Sequence, residues 1–293
     1  MFSRLFGALA MALFGGVLIV SAQQRPLLTE DVDTIPPGTI RFGAGVDFIQ
    51  NAKFPLSGLK GDLTRVGVIN LTIGLNTNVE FQIEGTLQNF LAINSAQNPS
   101  PIPLSIPVGS NSANDTGDFI ISTKIKIRNE TKNFPALGFK FGFQMPNTDQ
   151  ARGIGTNQVN AFGKLIVQKK FGKVYADKQH FANVFANIGL GIMPAPLQTF
   201  AQNDVFLYGV GGIIRVNKRF NFAGEVNGRA NTRSGAAPLG TESISELRLG
   251  AQIKASGLRF DTAAIIGLTK FSPRSGITFG VTYQSPNIFT PAK

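Results

Sequence analysis

The chain of 293 residues has no cysteine, no tryptophan, one histidine and only 15% charged residues. Without cysteine there is no disulfide framework, no thiolate metal site, no cysteine nucleophile and no acylated N-terminal cysteine. The single histidine, His180, falls in an expected turn. A catalytic imidazole must be fixed beside its nucleophile, and metal sites need several converging ligands, so no catalytic or metal set is expected. Gly153-Ile154-Gly155 neither follows a buried strand nor opens a helix. It is therefore no dinucleotide fingerprint, and no cofactor is expected. Long apolar runs are also missing. Beyond residue 22 nothing approaches the roughly 20 apolar residues of a spanning helix. If this chain crosses a membrane, it must do so as a closed barrel.

Glycine (33), phenylalanine (25) and net positive charge (+11, pI near 10.1) are plentiful. The Lys and Arg are scattered singly, with no strongly basic run. That pattern argues against nucleic acid as a partner. It suits a charged lumen and contact with anionic outer-membrane lipid or lipopolysaccharide head groups. At the N-terminus, Arg4, an apolar run over residues 5–20 and Val20-Ser21-Ala22 read as a signal peptide, 1–22, cleaved after Ala22. Residues 23–38 form a polar lead-in without helix or strand period, expected on the periplasmic side. It would either hang free there or tuck into a lumen.

The stretch 119–145 is the most informative. Phe119, Ile121, Thr123, Ile125 and Ile127 alternate with Ser122, Lys124, Lys126 and Arg128. After a polar break, Leu137, Phe139, Phe141, Phe143 and Met145 alternate with Gly138, Lys140, Gly142 and Gln144. Period two places these sets on opposite faces of a strand. A soluble sandwich and a membrane barrel would both accept one oily and one polar face. Over residues 39–284, twelve such segments follow one another, most about 9 to 13 residues long. The second, 63–75, is less clean, and in the sixth, 158–171, Phe162 and Ile166 fall on the wrong face.

The connections decide between the two environments. After even segments they are mostly short: 76–78, 129–134, 217–219 and 255–257, with 172–180 the exception. After odd ones most are long: 51–62, 92–116, 146–157, 193–203 and 231–245, with only 270–275 brief. Outer-membrane barrels of the Gram-negative envelope sort short periplasmic turns from long outer loops in this way. The expected fold is all-β: an antiparallel up-and-down transmembrane β-barrel of about twelve strands, with a C-terminal tail at 285–293.

The polar faces supply the candidate lumen lining. It comprises Glu80, Gln82 and Glu84 on the third strand; Lys124, Lys126 and Arg128 on the fourth; Lys140 and Lys164 on the fifth and sixth; Arg215 on the eighth; Glu225 and Arg229 on the ninth; Arg248 and Lys254 on the tenth; and Arg259 and Asp261 on the eleventh. These charges would either guide a small-molecule solute or pair across a filled tube. The Pro/Ser/Asn-rich loop 92–116 is long enough to fold inward and help fill it.

Four places resemble the outer-membrane transporter family named for the meta-pathway of phenol degradation. They are Leu28-Thr29-Glu30-Asp31-Val32-Asp33-Thr34 with Pro37-Gly38; Gly117-Asp118; Pro135-Ala136-Leu137 through Met145-Pro146 with Gly153-Ile154-Gly155-Thr156-Asn157; and the closing Gly276-Ile277-Thr278-Phe279-Gly280-Val281-Thr282-Tyr283. Val32 stands where the family usually has proline. The resemblance implies a barrel and transport of hydrophobic or aromatic compounds, and it carries over no site residue. The expected function is a porin-like passive channel or facilitated transporter for small solutes, not an enzyme. The alternative is a structural or surface-exposed barrel without transport, and a lipid-acting barrel enzyme ranks third. Nothing in the sequence points to an oligomeric state.

Overall fold

The computed structural model describes residues 25–107, 109–172, 181–197 and 202–290. The expected signal peptide and His180 lie outside these residues. Thirteen strands form: β1 (Ile40–Phe54), β2 (Leu59–Gly74), β3 (Val79–Ala96), β4 (Ser112–Asp115), β5 (Phe119–Arg128), β6 (Ala136–Met145), β7 (Asn160–Phe171), β8 (Ala182–Pro194), β9 (Gln202–Arg215), β10 (Phe220–Asn231), β11 (Ile244–Ala255), β12 (Leu258–Gly267) and β13 (Ser275–Gln284). Every neighbouring pair is antiparallel, and β1 joins both β2 and β13, so the sheet closes on itself. Closure leaves no unpaired edge, the condition for backbone to sit in hydrocarbon. β4 pairs with residues 89–92 of β3 and β5 with residues 79–84. The two short strands thus make one stave, and the barrel has twelve.

Side chains expected to face lipid do point outward. Phe48, Leu87, Phe141, Ile188, Phe222 and Phe279 are all exposed, on strands all around the ring. A continuous apolar surface of this kind is unstable in water and satisfied in hydrocarbon. The connections sort by end as expected. One end carries the short turns 75–78, 129–135, 216–219 and 256–257, and also both ends of the sheet sequence, Ile40 and Gln284.

Three details depart from the sequence reading. First, most of 51–62 is strand rather than loop. Pairing of β1 with β2 runs on through Ala52↔Gly61 to Phe54↔Leu59, so only residues 55–58 turn. The reason is apolar: Ile49, Ala52, Leu59, Leu63, Leu91 and Ala113 form a buried cluster there, packed by Leu104, Ile106 and Ile154. Residues 92–96 extend β3 and 112–115 form β4, and Leu104 and Ile106 of the loop between them cap the long-loop end. Second, the untidy second segment has a bulge. Gly67 takes φ +67° and the pairing with β1 slips there, from Gly43↔Asn70 to Val46↔Val66. An inserted residue switches which parity faces inward, and only glycine adopts that φ freely. Third, Ile166 faces the interior and is fully buried. Its partners are Ala136 and Val32, and Val32 belongs to the lead-in.

Candidate functional site

The interior is occupied by the lead-in. Residues 25–35 lie within the barrel rather than hanging free beyond it, with Val32 and Ile35 0% exposed, and residues 36–38 lead out at the short-turn rim, where Gly38 donates to Gly74 O. The segment holds to the wall in an ordered way. Going along it, Gln252 of β11 donates to the Arg25 carbonyl, and Arg248 of β11 to that of Pro26. Glu225 of β10 accepts from the Leu28 and Thr29 amides, both at 2.7 Å. Asn187 of β8 clasps Glu30 through both its amide and its carbonyl. Gln168 of β7 accepts from Val32, Lys124 of β5 donates to Asp33 O, and Glu80 of β3 accepts from Ile35. The segment therefore sweeps past one strand after another. These backbone groups find wall side chains, the pairing that backbone groups away from water require.

Apolar contacts complete the fit. Leu27 packs with Phe185 and Ala223, and Val32 with Ile166 and Ala136. Gly209 of β9 is needed because a Cβ there would lie 2.5 Å from Thr29 Oγ1.

Charge binds the segment most tightly to the arc β3–β7. Lys124 Nζ lies 2.9 Å from Glu80, 3.5 Å from Glu30 and 3.5 Å from Asp31. Lys140 Nζ lies 2.7 Å from Glu30 and 3.2 Å from Glu84. Lys170 meets Asp33 at 2.6 Å. Burial pushes the Glu30 carboxyl up, but Lys140 and Lys124 outweigh it and hold it at about 2. Burial pushes the Asp31 carboxyl well up, against the pull of Lys124. Glu80 and Glu84 thus answer lysines rather than forming an acid–base pair.

The remaining candidates divide. Gln82 is buried and donates to Glu80. Lys164 sits half-buried, its ammonium 5.2 Å from the Phe162 ring centre. Glu225 is buried, with Arg248 at 3.8 Å; Arg248 also meets Glu246 at 3.0 Å. Arg229 donates to the carbonyls of Glu242 and Gly240 at the long-loop end. Arg215, Lys254 and Arg259 are half-buried near the short-turn end, and Asp261 is buried. Lys126 is half-buried, but Arg128 is exposed. A slip in the β5–β6 pairing after Lys126 turns Arg128 to the rim, where it donates to Pro135 O and lies 5.3 Å from the Phe134 ring centre. Arg128 is therefore not a lumen residue.

Sequence reasoning missed the lead-in's backbone ligands Asn187, Gln168 and Gln252, and also Arg41 and Asp47. Asp47, almost fully buried, takes Arg25 at 3.3 Å, Arg65 at 3.5 Å and Thr278 Oγ1 at 2.6 Å. Period two placed Arg41 and Asp47 on the polar face and so could have found them. Nothing could have singled out three amides among many. Among the described residues no cluster of His, Cys, Asp and Glu is arranged to hold a metal ion.

No family model matches the sequence, and none of the curated proteins matches it. Among solved structures, the chain is similar to an outer membrane channel from Pseudomonas putida F1. The TM-score is 0.60 at 12% identity, covering 87% of this chain and 98% of the channel. It also aligns with the translocator domain of the autotransporter NalP from Neisseria meningitidis. There the TM-score is 0.45 at 11% identity, over 97% of this chain and 94% of the domain. The first likeness establishes the fold: a closed twelve-strand barrel of the outer-membrane kind.

Proposed function

We propose that this barrel is a passive channel or facilitated transporter for small solutes across the outer membrane, hydrophobic or aromatic compounds included, and that residues 25–38 are its removable obstruction. One observation carries the reading. Residues 25–35 make no main-chain to main-chain hydrogen bond with the barrel among the described residues; their tethers are wall side chains on their backbone and their own side chains on the wall. Such a segment can leave without opening a single strand pair. A segment built as a permanent filler would gain more from joining the sheet ladder.

The fold shared with an outer membrane channel and the likeness of the lead-in and closing strand to the phenol-pathway transporter family support the same reading. So does the interior above the segment, where Phe162 and Leu207 face inward beside Gly189 and Gly191. In this orientation the short turns face the periplasm.

The test is solute uptake into liposomes, wild type against a variant lacking residues 25–36. Faster uptake of small neutral and aromatic solutes by the variant is expected. No uptake by either would sink the channel reading and favour the structural barrel. The dense ion pairing of Lys124 and Lys140 is the observation on that side.

A further inference from the structure

The charges of the interior are unevenly answered. On the arc formed by β11, β12, β13 and β1, at the short-turn end, Lys254 and Arg259 face each other directly across β11–β12. Arg259 reaches Thr282 of β13 with a 3.1 Å hydrogen bond, and Arg41 of β1 stands opposite Gln284 of β13. Arg41 and Arg259 both lie within electrostatic range of Lys254, as does Arg215 from β9. Against Arg41, Arg259 and Lys254, this end of the arc supplies one carboxylate among the described residues, Asp261, and it is 3.8 Å from Arg259. Glu80, Asp31 and Glu30 are also within electrostatic range of Arg41, and Asp31 of Arg259, but their ion pairs are with Lys124 and Lys140.

The donors confirm the imbalance. Arg41 is 2% exposed, and both of its hydrogen bonds go to the single oxygen Oε1 of Gln284. Among the described residues its Nη1 has no acceptor, nor have the Arg259 Nε and the Gln284 Nε2. A buried donor without an acceptor costs on the order of 1–3 kcal/mol, more when charged. Folding retains that cost here on three neighbouring strands at once. An anion would relieve it: guanidinium forks match the oxygens of a phosphate or carboxylate, and a second cation raises the local potential.

We propose that Arg41, Arg259 and Lys254, with Gln284, form a binding site for a small oxyanion at the short-turn end of the lumen. The oxyanion would be a phosphate-sized group, free or borne by a diffusing solute. The site differs from the Lys124–Lys140 cluster, whose charge is already matched by Glu30, Asp31, Glu80 and Glu84. It requires no transport, so it stands or falls separately from the channel reading.

The experiment is calorimetric titration of the folded full chain in neutral detergent with inorganic phosphate at low ionic strength. Saturable binding is expected in the wild type. Arg41→Gln combined with Arg259→Gln should weaken it at least tenfold. Lys132→Gln, which removes one exposed turn charge from the same end, should leave it within twofold. Gln284→Ala provides a milder lesion if the double variant fails to show the heat-dependent gel shift of a folded barrel; it should weaken binding severalfold. Absence of saturable binding in wild type, equal loss in Lys132→Gln, or undiminished binding in a folded Arg41→Gln/Arg259→Gln or Gln284→Ala variant would overturn the proposal.

Discussion

Two arcs of the same inner wall carry similar cations and treat them oppositely. On β3–β7, Lys124 and Lys140 are buried among carboxylates. On β11–β1, Arg259 has one weakly placed aspartate, and Lys254 and Arg41 have no ion pair among the described residues. The wall sequences alone do not account for this. The wall gives Glu80 and Glu84 to the first arc, and the lead-in widens the difference by delivering Glu30, Asp31 and Asp33 to that arc and Arg25 to the second. A polar side chain in a lumen thus acquires its role from whatever crosses the lumen.

The largest effect should come from breaking the matched arc. Lys124→Met leaves Glu80, Glu30 and Asp31 without their common cation. Removing one partner of a buried pair costs about 3–5 kcal/mol, so urea midpoints in lipid should fall steeply. Arg259→Met on the other arc should cost far less, because it relieves crowding among cations; equal losses would erase the distinction between the arcs.

On the outside the arcs should not differ. Phe141→Arg on β6 and Leu249→Arg on β11 each put a charge on the lipid face. Each should cost about 2–4 kcal/mol near the midplane, read as destabilisation in reconstituted vesicles. Tolerance of either would mean that its strand does not face lipid.

A smaller effect follows from acid. The Glu30 carboxyl is lowered from its ordinary 4.5 to about 2 by Lys140 and Lys124, which outweigh its burial. A depressed carboxylate contributes stability that is whole above pH 4.5 and is lost as pH falls through about 2. Uptake through the wild type should therefore rise in that window, and Glu30→Gln should show raised uptake at neutral pH and a flatter profile. A profile identical to wild type would mean that Glu30 does not hold the segment. The smallest effect belongs to Arg128→Ala at the rim, where an exposed cation–π contact is worth about 0.5–1 kcal/mol; thermal stability should barely move.

The outer surface was legible in the sequence because lipid demands an apolar residue at every second position, and Phe139, Phe141 and Phe143 announce it. Loop parity gave closure and strand number for the same reason: each stave must return. The interior was legible only as a list of polar residues. Ile166 looked misplaced because its partner Val32 comes from far along the chain. The second segment looked untidy because Gly67 shifts its parity in mid-strand. The lead-in itself gave no period to read. An extended segment held by other strands' side chains needs no periodicity of its own.

That mode of holding bears on how the molecule is finished. The ligands of residues 25–35 come from β3, β5, β7, β8, β10 and β11. The two oxygens of Glu225 that grip Leu28 and Thr29 are reached only across separations of 197 and 196 residues. Closing so long a loop is entropically costly until the strands between are already in place. The segment therefore docks last, and it docks fully only in a barrel with every one of those staves in register. An incomplete or slipped barrel would leave its N-terminal stretch loose and open to proteolysis. Protection of the N-terminal stretch from protease should therefore report a barrel with those staves in register.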